Sequence, residues 1–175
     1  EPAEAALREV GEETGLEDLE MRAPIETIDW EFRFRGKRIH NLLVKPPGFD
    51  PQKKYPLFVV IHGGPHNMWK DDFVVRWNYH LLAKPGYVVL LTNYSGSTGF
   101  GEAFARSIQG DPLEGPANEV NEAADEAIKR YAFIDGSRQA AGGASYGGHL
   151  ANWLAVSTDR YRALAERTTI LSGPD

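Results

Sequence analysis

The sequence predicts an α/β fold: a doubly wound, mostly parallel sheet with helices on its faces. Three observations predict it. Two short apolar runs, 57–61 and 87–92, each end in a glycine-rich turn. A helix with one face of small apolar residues is expected over about 118–131. A Gly-x-Ser-x-Gly stretch at 143–147 lies between small residues and an apolar helical segment. Strand, glycine turn, strand, helix, strand, sharp turn, helix is the order of parallel strands joined by crossovers.

Residues 1–16 read as a short amphipathic helix with an acidic face, capped by Gly15. Ala23–Trp30 reads as a strand and Glu31–His40 as a hairpin, whose basic cluster Arg33–Arg38 is expected to be solvated. Lys45–Pro56 is a proline-rich connector. Leu57–Ile61 has the continuous apolar pattern of a strand buried on both faces. It stops at His62-Gly63-Gly64-Pro65-His66, where backbone amides can point at a developing oxyanion. Trp69, Phe73, Trp77 and Tyr79 are expected to serve mainly in core and lid packing. Tyr87–Thr92 is the second buried strand and enters Asn93–Gly101, another glycine-rich turn. Gly110–Pro116 reads as a loop. In the following helix Val120, Ala123, Ala124, Ala127 and Ile128 share one face.

Ala140–Gly142 is a weak strand on propensity, although small residues suit a crowded central position. After it, Gly143-Ala144-Ser145-Tyr146-Gly147 has the composition of a nucleophile elbow, in which a serine held in strained backbone stands above the sheet. Small residues on either side let strand and helix pass closely. His149–Val156 continues as a helix that ends before Ser157-Thr158-Asp159-Arg160.

Three ordered signatures, Ile61–His66, Asn93–Gly101 and Gly143–Gly148, carry a resemblance over about residues 36–161. The chain there resembles the α/β-hydrolase catalytic domain of the prolyl oligopeptidase family of serine peptidases, nearest its acylaminoacyl-peptidase and dipeptidyl-peptidase-like members. The resemblance implies that Ser145 is the nucleophile and that the amides of Gly63 or Gly64 and of Tyr146 are oxyanion donors, with no cofactor. The expected partner is a peptide or small ester. In the family the triad acid and histidine come later than the serine, beyond residue 175 here. Of His40, His62, His66, His80 and His149, none follows the elbow at a suitable distance. His62 and His66 are read as loop support and His149 as a helix residue. Very weak turnover is therefore expected, since a serine without its base is a poor nucleophile. The resemblance fades where Arg162–Leu171 becomes partly charged.

Arg8-Glu9-Val10-Gly11-Glu12-Glu13-Thr14-Gly15-Leu16 resembles the second half of the Nudix box. That implies Mg²⁺ held by Glu9, Glu12 and Glu13, which lie three and four apart on one helical face. The alternative is a solvated acidic face. The division expected is a Nudix-like remnant at 1–30 and a partial α/β-hydrolase at 31–175, with no propeller repeat visible. Three functions follow: a serine peptidase-type hydrolase, a Mg²⁺-dependent hydrolase of nucleoside diphosphate derivatives, and a non-catalytic scaffold or binding fragment. A net charge of −6 argues against a nucleic-acid surface. No apolar run approaches membrane-spanning length, so a soluble cytoplasmic or periplasmic protein is expected. With no cysteine there is no disulfide framework or thiolate metal site. An exposed sheet edge is expected to permit self-association.

Overall fold

The computed structural model describes residues 26–72 and 74–167, together with Ala5, Arg8 and Glu12, each in helical conformation. Its elements are β1 (Thr27–Phe34), β2 (Lys37–Val44), β3 (Tyr55–Ile61), α1 (Tyr79–Ala83), β4 (Val88–Asn93), α2 (Glu102–Arg106), α3 (Glu114–Arg130), β5 (Ile134–Ala144), α4 (Tyr146–Ser157) and β6 (Ala163–Arg167). The strands form one sheet in the order β1-β2-β4-β3-β5-β6. The β1–β2 and β2–β4 pairs are antiparallel; β3–β4, β3–β5 and β5–β6 are parallel. The chain leaves β3 toward β4 through α1, then crosses back through α3 to β5 on the other side of β3. That reversal makes the carboxyl ends of β3 and β5 the place where such a sheet offers a crevice.

Continuous apolar strands arise because both faces of the sheet are covered. Along β4, Val88 and Leu90 enter one core and Val89 and Leu91 the other, and all four are fully buried. The first core also receives Leu57, Val59 and Ile61 from β3 and is roofed by Val120, Ala123, Ala124 and Ala127 of α3 and by Leu150 and Leu154 of α4. The second is closed by Tyr79 and Ala83 of α1. The hairpin joins the sheet through β2, and its two turn residues, Arg35 and Gly36, have φ of 49° and 82°. Positive φ at both central positions is what a type I′ hairpin turn requires.

Three boundaries differ from the sequence reading. Helix α3 begins at Glu114 rather than near 118, because Pro116 lies in its first turn, where no backbone donor is needed, and Asp111 Oδ1 accepts from Gly115 N–H (3.0 Å). Strand β5 begins at Ile134, six residues before the small-residue run. Its register against β3 jumps from Pro56↔Asp135 to Leu57↔Gln139, so a bulge interrupts the periodicity. The partly charged segment after Tyr161 nevertheless supplies β6, paired parallel with β5 from Ala163 to Arg167. A side chain on Gly142 would lie 2.7 Å from the Ala165 carbonyl oxygen, so β5 admits this close neighbour only with glycine there. Residue 30 falls inside β1, which pairs with β2 along its whole length.

Leu90, fully buried in a central strand, tests this core. Leu90→Ala is expected to lower stability by about 3 kcal/mol through lost transfer energy and the cavity it leaves. Urea unfolding measures it, and a loss below about 1 kcal/mol would contradict the packing described.

Candidate active site

Ser145 stands between β5 and α4 with φ 55° and ψ −125°. Such a conformation costs about 1–3 kcal/mol for a residue with a side chain, so the surroundings must hold it. They do so by crowding. A Cβ on Gly143 would lie 2.6 Å from the Ile61 carbonyl oxygen, and one on Gly147 would overlap that oxygen and reach 2.8 Å from the His62 carbonyl. The elbow thus rests directly on the end of β3. Ser145 is exposed, and its side chain does not cap its own helix.

Gly63 comes in from the other side. A Cβ there would lie 3.3 Å from Ser145 Cβ and 2.8 Å from the Ala144 carbonyl oxygen, which places its backbone beside the serine. Gly64, at φ 127°, has His66 and Asn67 of its own turn as nearest neighbours. Tyr146 opens α4, so its N–H has no acceptor within the helix, whereas those of Gly148 and His149 bond to the Ser145 carbonyl (2.9 and 3.1 Å). Of the sequence-predicted residues the structure therefore gathers Ser145, Gly63 and Tyr146 and sets Gly64 further along the turn. This arrangement can present amides to an oxygen on a carbon held against the Ser145 hydroxyl.

His62 anchors the turn. It is buried, and its ring is stacked on Tyr94 at 4.4 Å between centroids. Nδ1 lies 2.9 Å from the Gly63 carbonyl and Nε2 lies 2.9 Å from Ser97 Oγ. Burial holds its pKa down at about 4, so the ring is neutral near pH 7. The Gly63 carbonyl can only accept, so Nδ1 carries the hydrogen and donates to it, while Nε2 and the Tyr94 carbonyl (2.6 Å) share the one proton of the Ser97 hydroxyl. Tyr94 Oη–H donates to the His62 carbonyl (2.5 Å). Both ring nitrogens are thus committed to the loop.

A second network holds the neighbouring turn. Glu119 of α3, buried, accepts from Ser95 N–H (2.5 Å), Ser95 Oγ (2.6 Å) and Lys37 Nζ (3.0 Å). Hairpin, turn and crossover helix meet at this carboxylate. Sequence reasoning missed it, because Glu119 has the pattern of one more polar residue on an amphipathic helix; the signal available was its place beside Val120 on the α3 face that packs inward. Burial raises the Tyr146 phenol, with Glu119 adding to the effect, and its hydroxyl donates to the Pro112 carbonyl.

Among the described residues no hydrogen bond joins a histidine to Ser145. His40 pairs with Glu31 (3.4 Å) and stacks on Phe100, His80 lies against the Tyr79 ring, and His66 and His149 are exposed. Glu9 and Glu13 lie outside the described residues, as does Phe73; Glu12 is exposed and 3.8 Å from Arg8. Trp69 and Tyr79 pack as expected, whereas Trp77 is 38% exposed and lines a cavity of about 440 Å³ that reaches Ser145. Among the described residues no helix is long and apolar enough to cross a membrane.

Fold and site together define an α/β-hydrolase-type domain: parallel strands, a serine elbow at the end of one, and a glycine turn at the end of its neighbour. Residues 73–171 match the prolyl oligopeptidase family, and the chain belongs to that family of serine peptidase-type hydrolases. The match runs through β6, past the point near 162 where the sequence signatures fade. The chain is 40% identical to dipeptidyl-peptidase 5 of Schizosaccharomyces pombe over 119 residues, 68% of this chain and 17% of that protein. It is 34% identical to probable dipeptidyl-peptidase 5 of Aspergillus clavatus over 154 residues, 87% of this chain and 21% of that protein. It thus spans about a fifth of the length of these relatives. Among solved structures, an acylaminoacyl peptidase in complex with Z-Gly-Gly-Phe-chloromethyl ketone aligns over 80% of this chain and 22% of its own, with TM-score 0.74 and 26% identity. Uncomplexed Pyrococcus horikoshii acylaminoacyl peptidase aligns over 82% and 23%, with TM-score 0.74 and 25% identity.

The pKa of His62, about 4 when folded against an ordinary 6.5, sets a pH dependence. The unfolded chain binds the proton more readily, so the stabilisation is complete above pH 6.5 and is lost as pH falls from 6.5 toward 4. The loss over that interval is about 3 kcal/mol. Urea midpoints measured from pH 7.5 to 4 should fall accordingly, and less steeply in His62→Gln. Parallel curves for the two proteins would contradict a buried neutral imidazole.

Proposed function

We propose that this chain carries the nucleophile and the oxyanion-binding half of a serine peptidase site. Ser145 Oγ attacks a peptide or ester carbonyl, the acyl group passes to the serine, and water then releases it. The amides of Tyr146 and of the Gly63-Gly64 turn, Gly63 foremost, receive the negative charge that appears on the carbonyl oxygen. Donors of this kind contribute about 10²–10³ in rate each, because they act on charge absent from the ground state.

The observation that carries the reading is the exposed serine at φ 55°, held by glycines against the strand end that leads to Gly63. Backbone strain on a solvent-facing hydroxyl has no packing purpose. Family membership and the relatives' names support a peptide carbonyl as substrate. His62 is left out of the proton transfer, since both of its nitrogens already serve the loop. Because no histidine is bonded to Ser145 among the described residues, turnover by these residues alone is very slow until a base and its orienting acid are supplied.

A fluorophosphonate probe tests the nucleophile. Because no histidine among the described residues activates the serine, labelling should be slow: after long incubation at high probe concentration, intact-mass analysis should show one adduct on Ser145 and none in Ser145→Ala at equal foldedness by circular dichroism. Folded protein that takes no label, or label that persists in Ser145→Ala, would overturn the reading.

A further inference from the structure

The cavity beside Ser145 has firmly built walls. Trp69 Nε1–H donates to the Val60 carbonyl (3.0 Å), its backbone N–H donates to Asn93 Oδ1 (2.7 Å), and its carbonyl accepts from Asn93 Nδ2 (2.9 Å). Tyr79 is buried, meets Trp69 edge-on, and accepts from Asp72 N–H (2.7 Å). Trp77 is held differently, at φ 59°, a region that a bulky residue rarely enters unless its surroundings enforce it. Aromatic surface is thus fixed beside the serine while one indole stays open to solvent. The charges around the cavity are unbalanced. Lys70 and Asp72 pair with each other (2.9 Å), whereas Arg76 has no ion pair among the described residues.

We infer that this cavity is the leaving-group subsite and takes a bulky apolar C-terminal residue with a free carboxylate, Trp77 lying against its side chain and Arg76 pairing with its carboxylate. The inference rests on Ser145 being the nucleophile. The side follows from peptide chemistry. On the acyl side the residue at the scissile bond has its own carboxyl carbon under attack, so only the leaving residue brings a second main-chain carboxylate this close. In the step served, the bond from Ser145 Oγ to the carbonyl carbon forms, the carbon–nitrogen bond breaks, and the proton from Oγ ends on the leaving nitrogen. The leaving residue departs as a free amino acid, and water later takes the acyl group. An arginine also matches the planar carboxylate with two parallel donors.

Competition against fluorophosphonate labelling tests this on the full chain, using N-acetyl-phenylalanine and N-acetyl-phenylalaninamide. The acid should protect Ser145 at about fivefold lower concentration than the amide, the size of a partly exposed ion pair. Arg76→Gln should erase that preference, and Trp77→Ala should weaken protection by both compounds. Equal protection by acid and amide, or a preference that survives Arg76→Gln, would overturn the inference. A tryptophan-fluorescence titration of both compounds in Ser145→Ala separates it from the nucleophile reading. Arg76-dependent preference there supports the subsite even without labelling, and its absence overturns the subsite even where labelling succeeds.

Discussion

The end of β3 lies against the elbow between β5 and α4 at a distance that only glycine permits, and the rest of the site depends on that contact. A side chain on Gly143 or Gly147 would enter the space of the Ile61 and His62 carbonyls. With those two positions bare, strand and helix close on each other, and the chain between them must turn through the conformation that lifts Ser145 out of the sheet. The strand order then acquires a purpose. Because the chain crosses back over β3 before forming β5, the Gly63 turn and the serine elbow leave adjacent strands at the same end of the sheet.

Strain of this kind persists only where neighbouring structure is rigid, and two polar networks supply the rigidity on the β4 side. His62, Tyr94 and Ser97 tie the first glycine turn to the second. Lys37, Ser95 and Glu119 tie the second turn to the hairpin and to α3. Each places a polar group in a nearly dry position with its hydrogen-bonding capacity used, the condition under which burial is tolerable. The carboxylate of Glu119 is the more demanding case: removing one of its partners would leave a buried charge short of compensation, so the three groups act as a unit. The hairpin is therefore more than an added edge. Through Lys37 it reaches the Ser95 turn, which packs beside the Gly63 turn.

Much of this was legible in the sequence because the strongest signals are steric and hydrophobic. Leu57–Ile61 and Val88–Leu91 declare strands buried on both faces, and the glycines around Ser145 mark a place where backbones must touch. Less legible were features set by partners distant in sequence. Strand β5 starts early behind a bulge, and β6, Ala163–Arg167, pairs with it where Gly142 leaves room for the Ala165 backbone. Glu119 looks like surface until Lys37 and Ser95 arrive from elsewhere. Gly63 and Gly64 were inseparable in sequence; in the structure the Gly63 backbone is the one that lies against Ser145 Cβ.

The central claim is that crowding at β3 and the elbow prepares an oxyanion site between the Gly63 and Tyr146 amides. A crystal structure of the protein phosphonylated on Ser145 tests it most directly. The account predicts that the phosphonyl oxygen lies about 2.7–3.1 Å from the Gly63 and Tyr146 nitrogens, with Ser145 still at positive φ. An oxygen turned to solvent and bonded to neither amide, or a serine relaxed to negative φ, would contradict it.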